Sequence, residues 1–507
     1  MRKSDAGHTT SCWEASEKLI DRRSGLANKT EEYDVCIVGA GIAGLTTAYL
    51  LSKAKKKVIV VDDGLIGGGE TSRTTAHLSN AIDDRIYRIE EWHGKENAKL
   101  AVESHTKAIN KIEDIVNSEK IDCDFTRLDG YLVDSPEGTD DLEKEFEATQ
   151  RCGPAGVEWV DNLHLEGFDS GKCLRFPHQG QFHVLKYLAG LVRAIESYGG
   201  TLVSHKRVVG WEGGANPKIT TEDDVIASAN SLVLATNYPL MSKMFAKLPA
   251  YRTYAIAAEL PKKRLEKILI WDTEDPYHYV RTQEDSGHDL LIVGGEDHRT
   301  GQENDGETRF ANLKRWTEER FPNAGGIKYE WSGQFLETHD GLAFLGRFSD
   351  SEPNVYLITG DSGMGMTHGT VGAMIASDQI LGRENVWANV YDPSRLTTQS
   401  LKEAVPEIID STVPYTDWVT PGDISSEADL KKGEGAVMRD GVSRIAVYRD
   451  ENGEVHRLNA KCTHLGCVVR FNSLEKTWDC PCHGSRFALD GNPINSPAIT
   501  PLSKAEN

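Results

Sequence analysis

Two short segments near the carboxyl end carry the side chains best suited to hold metal. Cys462-Thr463-His464-Leu465-Gly466-Cys467 is followed by Cys480-Pro481-Cys482-His483-Gly484-Ser485. Each offers one cysteine and one histidine to a shared point, Cys462 with His464 and Cys480 with His483. A Cys2His2 zinc finger takes both thiolates from one element and both imidazoles from the other. The alternating arrangement suits two adjacent irons instead, sulfur holding one and nitrogen the other. A structural zinc site or redox-inert thiols are the plain alternatives.

A second constellation lies near the amino end. Gly39-Ala40-Gly41-Ile42-Ala43-Gly44 follows an apolar run and opens a helical pattern, and Asp62 ends the next apolar run. Gly39 permits a tight turn, Gly41 lets a pyrophosphate approach the backbone, and Gly44 lets helix and strand pack closely. The helix N-terminus presents N–H groups to phosphate, and Asp62 can accept from ribose hydroxyls. Asp63 sits one residue further into the turn and is the less suited acid. The pattern predicts dinucleotide binding without separating FAD from NAD.

These residues need elements to place them. Val35–Val38 and Val58–Val61 read as parallel strands buried on both faces, joined by a helix from Ile42 to about Ala54. Lys55, Lys56 and Lys57 then complement the helix C-terminus. From Asp84 to Glu330, amphipathic helices (Glu90–Ser118, Leu185–Tyr198) alternate with strand-like runs such as Ser231–Ala235 and Leu290–Val293. The charged stretch from Glu90 reads as a solvated face. The first style returns between Trp331 and Gly382, with strand Val355–Thr359, then Gly360, Gly363, Gly365 and Gly369, then a helix from about Val371. One discontinuous nucleotide-binding domain, interrupted by an inserted domain, accounts for that return. Tyr391–Thr420, with Pro393, Pro406 and Pro414, predicts a linker. Beyond Ile424, Gly435–Met438, Ile445–Tyr448 and Cys467–Phe471 alternate with Asp440-Gly441 and Asn452-Gly453 turns, predicting a small all-β module.

The chain has 507 residues, room for about three domains. Its 57 basic and 78 acidic side chains leave a charge of −21, which argues against nucleic acid or an anionic membrane as the main partner. A composition 39% hydrophobic and 27% charged is that of a globular chain. No apolar run nears the roughly 18 residues of a membrane span. Met1–Thr30 carries Arg2, Lys3, Lys18, Arg22 and Arg23 without an apolar stretch, so it reads as the polar leader of a cytoplasmic protein. Cys12, Cys36, Cys123, Cys152 and Cys173 are scattered and read as free thiols, Cys36 within a strand core.

The last hundred residues resemble a Rieske [2Fe–2S] domain with a second cysteine in each loop. The resemblance implies Cys462 and Cys480 on one iron, His464 and His483 on the other, and a Cys467–Cys482 disulfide tying the loops. It also implies solvent-facing imidazoles and a hydroxyl donor to a bridging sulfide at Ser485. Phe487 stands where high-potential members carry a tyrosine that donates to a ligand sulfur. Fewer donors imply a potential in the lower or middle part of a range of roughly −150 to +300 mV.

Residues Tyr33 to Gly382 resemble the D-amino-acid-oxidase-like FAD-dependent oxidoreductases. The matching features are Gly67–Arg73, Leu174–Tyr187 with Pro177, Val208, Ala235-Thr236, Trp331-Ser332-Gly333 with Asp340, and Asn354–Gly360 leading into Gly363 and Gly365. The resemblance implies that Gly39, Gly41, Ala43, Gly44 and Asp62 hold the ADP half, with Val208 by the adenine. Ser72, Arg73 and Thr74 would approach the pyrophosphate and ring, and Gly360, Gly363 and Gly365 would line the flavin. The fold expected is α/β. A Rossmann-like FAD-binding domain of the glutathione-reductase-2 type (33–86, 165–240, 331–384) holds an inserted mixed α+β substrate domain (87–164, 241–330). A leader (1–32), a linker (385–420) and the all-β Rieske domain (421–507) complete it.

The activity implied is an FAD-dependent oxidoreductase passing electrons between a small molecule, of the amine or amino-acid class, the flavin and the cluster. Its redox partner would be a one-electron donor or acceptor such as a ferredoxin or a quinone. A reductase or oxygenase fed through the cluster, and a substrate-free carrier or sensor, are the alternatives; the large inserted domain speaks against the carrier. Tyr277, His278, Tyr279 and Arg281 are candidates to meet substrate, since an Arg and a Tyr can hold a carboxylate. A surface strand with alternating polar side chains is the other reading. His77 is a candidate to face the flavin, take a proton or carry a covalent link, against a hydrogen-bonded loop histidine. His178 and His183 flank a region near the ring.

Overall fold

The apolar run before Gly39 becomes the centre of a mostly parallel sheet. In the computed structural model, residues 6–505 are described, apart from 24–31, 164, 241–247, 264, 286, 401 and 403–412. Glu32–Val38 lies parallel to Val58–Val61 on one side and Ile226–Leu234 on the other. Thr201–Val203 and Glu352–Thr359 extend the sheet, and Phe344–Ser349 closes one edge antiparallel. Val35 to Val38, Cys36 among them, are buried, as a parallel sheet covered on both faces requires.

The helix Gly365–Ile380 starts six residues before the glycine pattern suggested. Gly369 sits inside it, where a Cβ would press on Ile42 and Ala43 of the helix Ile42–Lys53. Glycine costs about 1 kcal/mol against alanine within a helix; here it admits the close approach of two helices.

The second sheet has nine strands. Its path runs through Ile327–Leu336, Ala250–Leu260, Asp289–Arg299, His278–Glu284, Leu269–Asp272, Thr126–Val133, Cys173–Gln181 and His77–Leu78. Strands Cys173–Gln181 and Ile327–Leu336, together with His77–Leu78, belong to this sheet rather than to the nucleotide-type one. An apolar alternation reports that a strand is buried, not which partner it pairs with.

The helical stretch expected over Glu90–Ser118 is two helices, Ile86–His93 and Lys95–Glu119, broken at Gly94 with φ of +80°. The longer one is not a solvated face throughout. Ala98, Val102, His105, Ile109 and Ile112 form a buried stripe at helical spacing.

The described part of the expected leader, 6–23, is built into the fold. Ser11 and Glu14 form a capping box on the helix Cys12–Ser16. Trp13 is buried and its Nε1 donates to the Thr74 carbonyl at 2.6 Å. The expected linker lies partly outside the described residues, Pro406 included. Tyr415 and Trp418, within it, donate to the carbonyls of Leu465 and Gly466.

The C-terminal module is all-β, with a three-stranded sheet (Glu434–Asp440, Ser443–Arg449, Val455–Asn459) and a four-stranded one (Arg470–Asn472, Thr477–Asp479, Arg486–Ala488, Pro493–Asn495). A largely buried ionic cluster docks it. Glu475 pairs with Arg73 at 3.1 Å, both side chains inaccessible, and accepts from Thr9 through N (3.0 Å) and Oγ1 (2.6 Å) and from the Ser332 hydroxyl. Arg252 lies 3.9 Å from Glu475 and 3.7 Å from Asp479, and Arg486 reaches Asp479 and Glu70. Burial alone would raise the Glu475 carboxyl, but Arg73, Arg252 and Arg486 outweigh it and hold it at about 2.

Replacing Glu475 with Gln leaves three buried guanidiniums short of one anion. A loss of about 3–5 kcal/mol is expected, measured by denaturant unfolding. Because the folded value lies below the ordinary 4.5, the stabilisation is complete above that value and fades as pH falls towards about 2. Acid titration of the unfolding free energy checks this: the variant should lose less stability than the parent over that interval.

Candidate functional site

A deep cavity opens at the C-terminal ends of Glu32–Val38 and Ile226–Leu234, where the glycine turns meet helix N-termini. Gly39, Gly41, Ala43, Asp62, Val208, Gly360, Gly363 and Gly365 all line it. Gly44 stands behind the lining, where a Cβ would collide with the carbonyl of Gly39, itself at φ of +104°. The Asp62 carboxylate is fixed at the strand end by N–H donors from Ala40 (2.6 Å) and Gly64 (2.9 Å). Asp63 pairs with Arg207 instead.

The loop 70–74 divides its work. Ser72 turns away from the cavity and donates to Glu14 and to the Gly69 carbonyl. Arg73 and Thr74 line the cavity. The Nη atoms of Arg73 are committed to Thr9, Ser332 and Glu475, whereas its buried Nε has no acceptor among the described residues. A phosphate or ring acceptor fits there. Thr71, which the sequence reading passed over, lines the cavity and accepts from Ile42 N at 3.2 Å.

Further along the same cavity, Tyr277 and Tyr279 stand 5.7 Å apart, ring to ring. The Tyr279 hydroxyl meets Thr253 at 2.8 Å, and that of Tyr277 donates to Asp83 at 3.4 Å. Arg281 continues the two-residue alternation but does not reach the lining. Its fully buried Nη1 is held by the carbonyls of Thr75, Ala76 and Phe182, and Nη2 by Gln283. A guanidinium spent on backbone carbonyls cannot also grip a substrate carboxylate, so that expectation is corrected.

The histidines fare similarly. His77 lines the cavity with Nδ1 against Thr75 and Nε2 against the Val280 carbonyl, and burial beside Arg281 drives its pKa down to about 3. It is a neutral, hydrogen-bonded ring. His278 points away and meets Asp272. His183 caps the helix Val184–Ser197 through Nδ1, and the exposed His178 lies outside the lining.

Carboxylates gather where the sequence offered no motif. Asp83 lines the cavity, and Asp84, Asp297 and Glu337 lie close enough to interact with it. All four keep some access to solvent, yet protein surrounds them. Burial raises all four, and repulsion from neighbouring carboxylates adds to it for Asp84, Asp297 and Glu337: Asp84 and Asp297 rise to about 7, and Asp83 and Glu337 move in the same direction.

The two metal-type loops are twins. Gly466 N donates to the Cys462 carbonyl and Gly484 N to that of Cys480, while Cys462 N and Cys480 N donate to the carbonyls of Cys467 and Ser485. Cys462 and Cys480 are buried free thiols, the His464 and His483 rings stand 5.0 Å apart nearly at right angles, and Cys467 is bonded to Cys482. The surroundings differ. His464 is half-buried beside the exposed Leu465, whereas His483 is buried.

Residues 34–379 match the family model described as FAD dependent oxidoreductase. The chain belongs to the FAD-dependent oxidoreductases. Residues 420–506 match the Rieske [2Fe-2S] domain, so this flavoenzyme binds FAD and carries a [2Fe–2S] cluster. It is 31% identical over 485 residues, 94% of each chain, to YhfW of Bacillus subtilis (strain 168), named as a Rieske 2Fe-2S iron-sulfur protein. Over 373 residues, 71% of this chain and 86% of the relative, it is 25% identical to gamma-glutamylputrescine oxidoreductase of Escherichia coli (strain K12). The fold is like that of glycine oxidase from Geobacillus kaustophilus, with a TM-score of 0.61, 19% identity, and coverage of 72% of this chain and all of the other. No helix among the described residues is long and apolar enough to cross a membrane.

The residues present fit both groups. The glycine turn, Asp62 and the open Arg73 Nε suit a dinucleotide, and two adjacent thiols facing two imidazoles suit a mixed-ligand cluster. Gly44→Ala should cost the flavoenzyme its FAD, read as loss of the flavin absorbance. Cys480→Ser should abolish the EPR signal of the reduced cluster and leave the flavin in place. Phe487, buried among the cluster-loop side chains, lacks a donor. Protein-film voltammetry should place the midpoint in the lower or middle part of roughly −150 to +300 mV, and Phe487→Tyr should raise it.

Proposed function

We propose that this flavoenzyme oxidises a small cationic amine and passes the electrons through the Rieske cluster, one at a time, to an external one-electron acceptor. The observation that carries the substrate class is the pairing of Asp83 with Tyr277 on the cavity wall while Arg281 is fully engaged elsewhere. Among the described residues, the other basic side chains on that wall also have partners: Arg73 with Glu475, Lys206 with Asp223, and Arg207 with Asp63. A cavity with a carboxylate and committed guanidiniums favours an ammonium over a carboxylate. The relative named for gamma-glutamylputrescine is in keeping with an amine. The electron path is supported by the C-terminal domain itself, because Ile494, Asn495, Ser496, Ala498 and Ile499 line the same cavity as the glycine turns.

Bound FAD supplies a two-electron acceptor for the reacting C–H bond. The chain's own residues bind and orient. Asp83 accepts from the ammonium, Tyr277 and Tyr279 wall the apolar stem, and the strand carrying the tyrosines shields the site from water. The ammonium must lose a proton before it can give up hydride, and carboxyls raised towards neutrality can take it.

Anaerobic titration with a panel of diamines, monoamines and amino acids, following flavin and cluster bands separately, tests this. Amines should bleach the flavin first and the cluster second. Reduction by amino acids alone, or cluster bleaching by a reduced ferredoxin ahead of the flavin, rejects the reading. Asp83→Asn should raise the amine KM roughly ten- to a hundredfold, matching the 1.5–3 kcal/mol of a charged hydrogen bond. Asp84 and Asp297 are neutral below about pH 7 and charged above it, so amine affinity should strengthen as pH rises through 7. A flat KM profile opposes that.

A further inference from the structure

We propose that Gln334 is the coupling residue that joins the flavin cavity to the cluster, through the loop that carries His483. This rests on the electron path proposed above. Gln334 is buried and lines the cavity. Its Nε2 donates to the carbonyl of Gly484 at 3.1 Å, and Gly484 directly follows His483 in the chain. The amide cannot be turned without loss. Thr300 Oγ1 donates to its Oε1 at 3.3 Å, which leaves Nε2 facing the loop.

The contact is held from both sides. The backbone N of Gln334 donates to Glu70 at 2.7 Å. Two residues earlier, Ser332 is tied into the Glu475–Arg73 pair. Gly484 lies flush on the strand Ala250–Leu260, where a Cβ would collide with that of Ala250, and its φ of +73° suits glycine. Gly301, from the loop after Asp289–Arg299, presses against Pro481 in the same way. The first cluster loop has a different covering, the linker residues Tyr415 and Trp418, and its His464 is half-exposed. One loop thus faces the flavin side and the other faces outward.

The step served is a one-electron transfer. One electron leaves the two-electron-reduced flavin and enters the oxidised cluster, the released proton goes to water, and an external one-electron acceptor reoxidises the cluster before the second electron follows. Electronic coupling falls off faster through a gap than through bonds, so a side chain that spans the gap acts on the rate of crossing. Gln334 is a positioning residue in this sense.

The test uses full-length holoprotein, with the flavin photoreduced anaerobically so that no substrate is needed, and ferricyanide as the terminal acceptor. In Gln334→Leu the cluster should be reduced severalfold more slowly than in the parent. The cluster's EPR g values and midpoint potential should be retained, which shows an intact cluster, and a parental denaturation midpoint shows an intact interface. Gln334→Asn with a shortened reach should also be slow. Thr300→Val, which frees the amide but keeps Gln334, should be intermediate and serves if Gln334→Leu fails to load cofactors. Cluster reduction in both Gln334→Leu and Thr300→Val at the parental rate overturns the proposal. A parent protein whose photoreduced flavin never reduces its cluster instead overturns the electron path itself.

Discussion

The molecule depends on a set of charges that none of its parts could bury alone. Arg73, Arg252 and Arg486 face Glu475, Asp479 and Glu70, with Thr9 and Ser332 filling the remaining hydrogen bonds. Each ion, taken separately out of water, would cost several kcal/mol, and only near-complete pairing offsets that. The members come from the N-terminal segment, the loop after the second parallel strand, two strands of the larger sheet and the C-terminal module. The cluster is complete only when all of these are in place. That makes the arrangement of the two redox units a condition of burial rather than a loose tether.

The consequence is a cavity with walls of different origin. The turn at Gly39 forms one part, and Asp83, which lies against Gly363, forms another with the paired tyrosines. Strand-end residues of the C-terminal module close part of the side. A dinucleotide needs close backbone approach and an N-terminal helix dipole, which the first part provides. The proposed ammonium would meet Asp83 and the tyrosines in the second. Arg281 shows how narrowly the chemistry is partitioned: its guanidinium organises the loops behind the cavity and leaves the wall acidic.

The cluster loops show the converse, identical local geometry given different tasks by their surroundings. Both turn at a glycine four residues after the first cysteine and close with the same pair of backbone hydrogen bonds. One is covered by the larger sheet and the loop that carries Gly301, the other by a short stretch of linker. In the full chain His483 is buried and His464 is half-buried beside the exposed Leu465.

Much of this was legible in the residues alone. The buried strands around Gly39, the glycine turn with Asp62, the all-β end and the paired Cys–His loops are local patterns, set by backbone geometry and by which side chains can ligate iron. They survive any arrangement of the rest. What the residues could not say was decided by partners far away in the chain. Ser72 and Arg73 read alike, but Ser72 turns its hydroxyl to Glu14 while Arg73 both pairs with Glu475 and lines the cavity. Gly369 read as loop until a neighbouring helix required its missing Cβ. Arg281 read as a substrate clamp until three carbonyls claimed it, and Asp297 and Glu337 carried no motif until the sheet brought them near Asp83. Local chemistry follows from sequence because it acts across a few residues. Burial, pairing and the direction in which a charge points are properties of the whole fold, since they depend on what else fills the space.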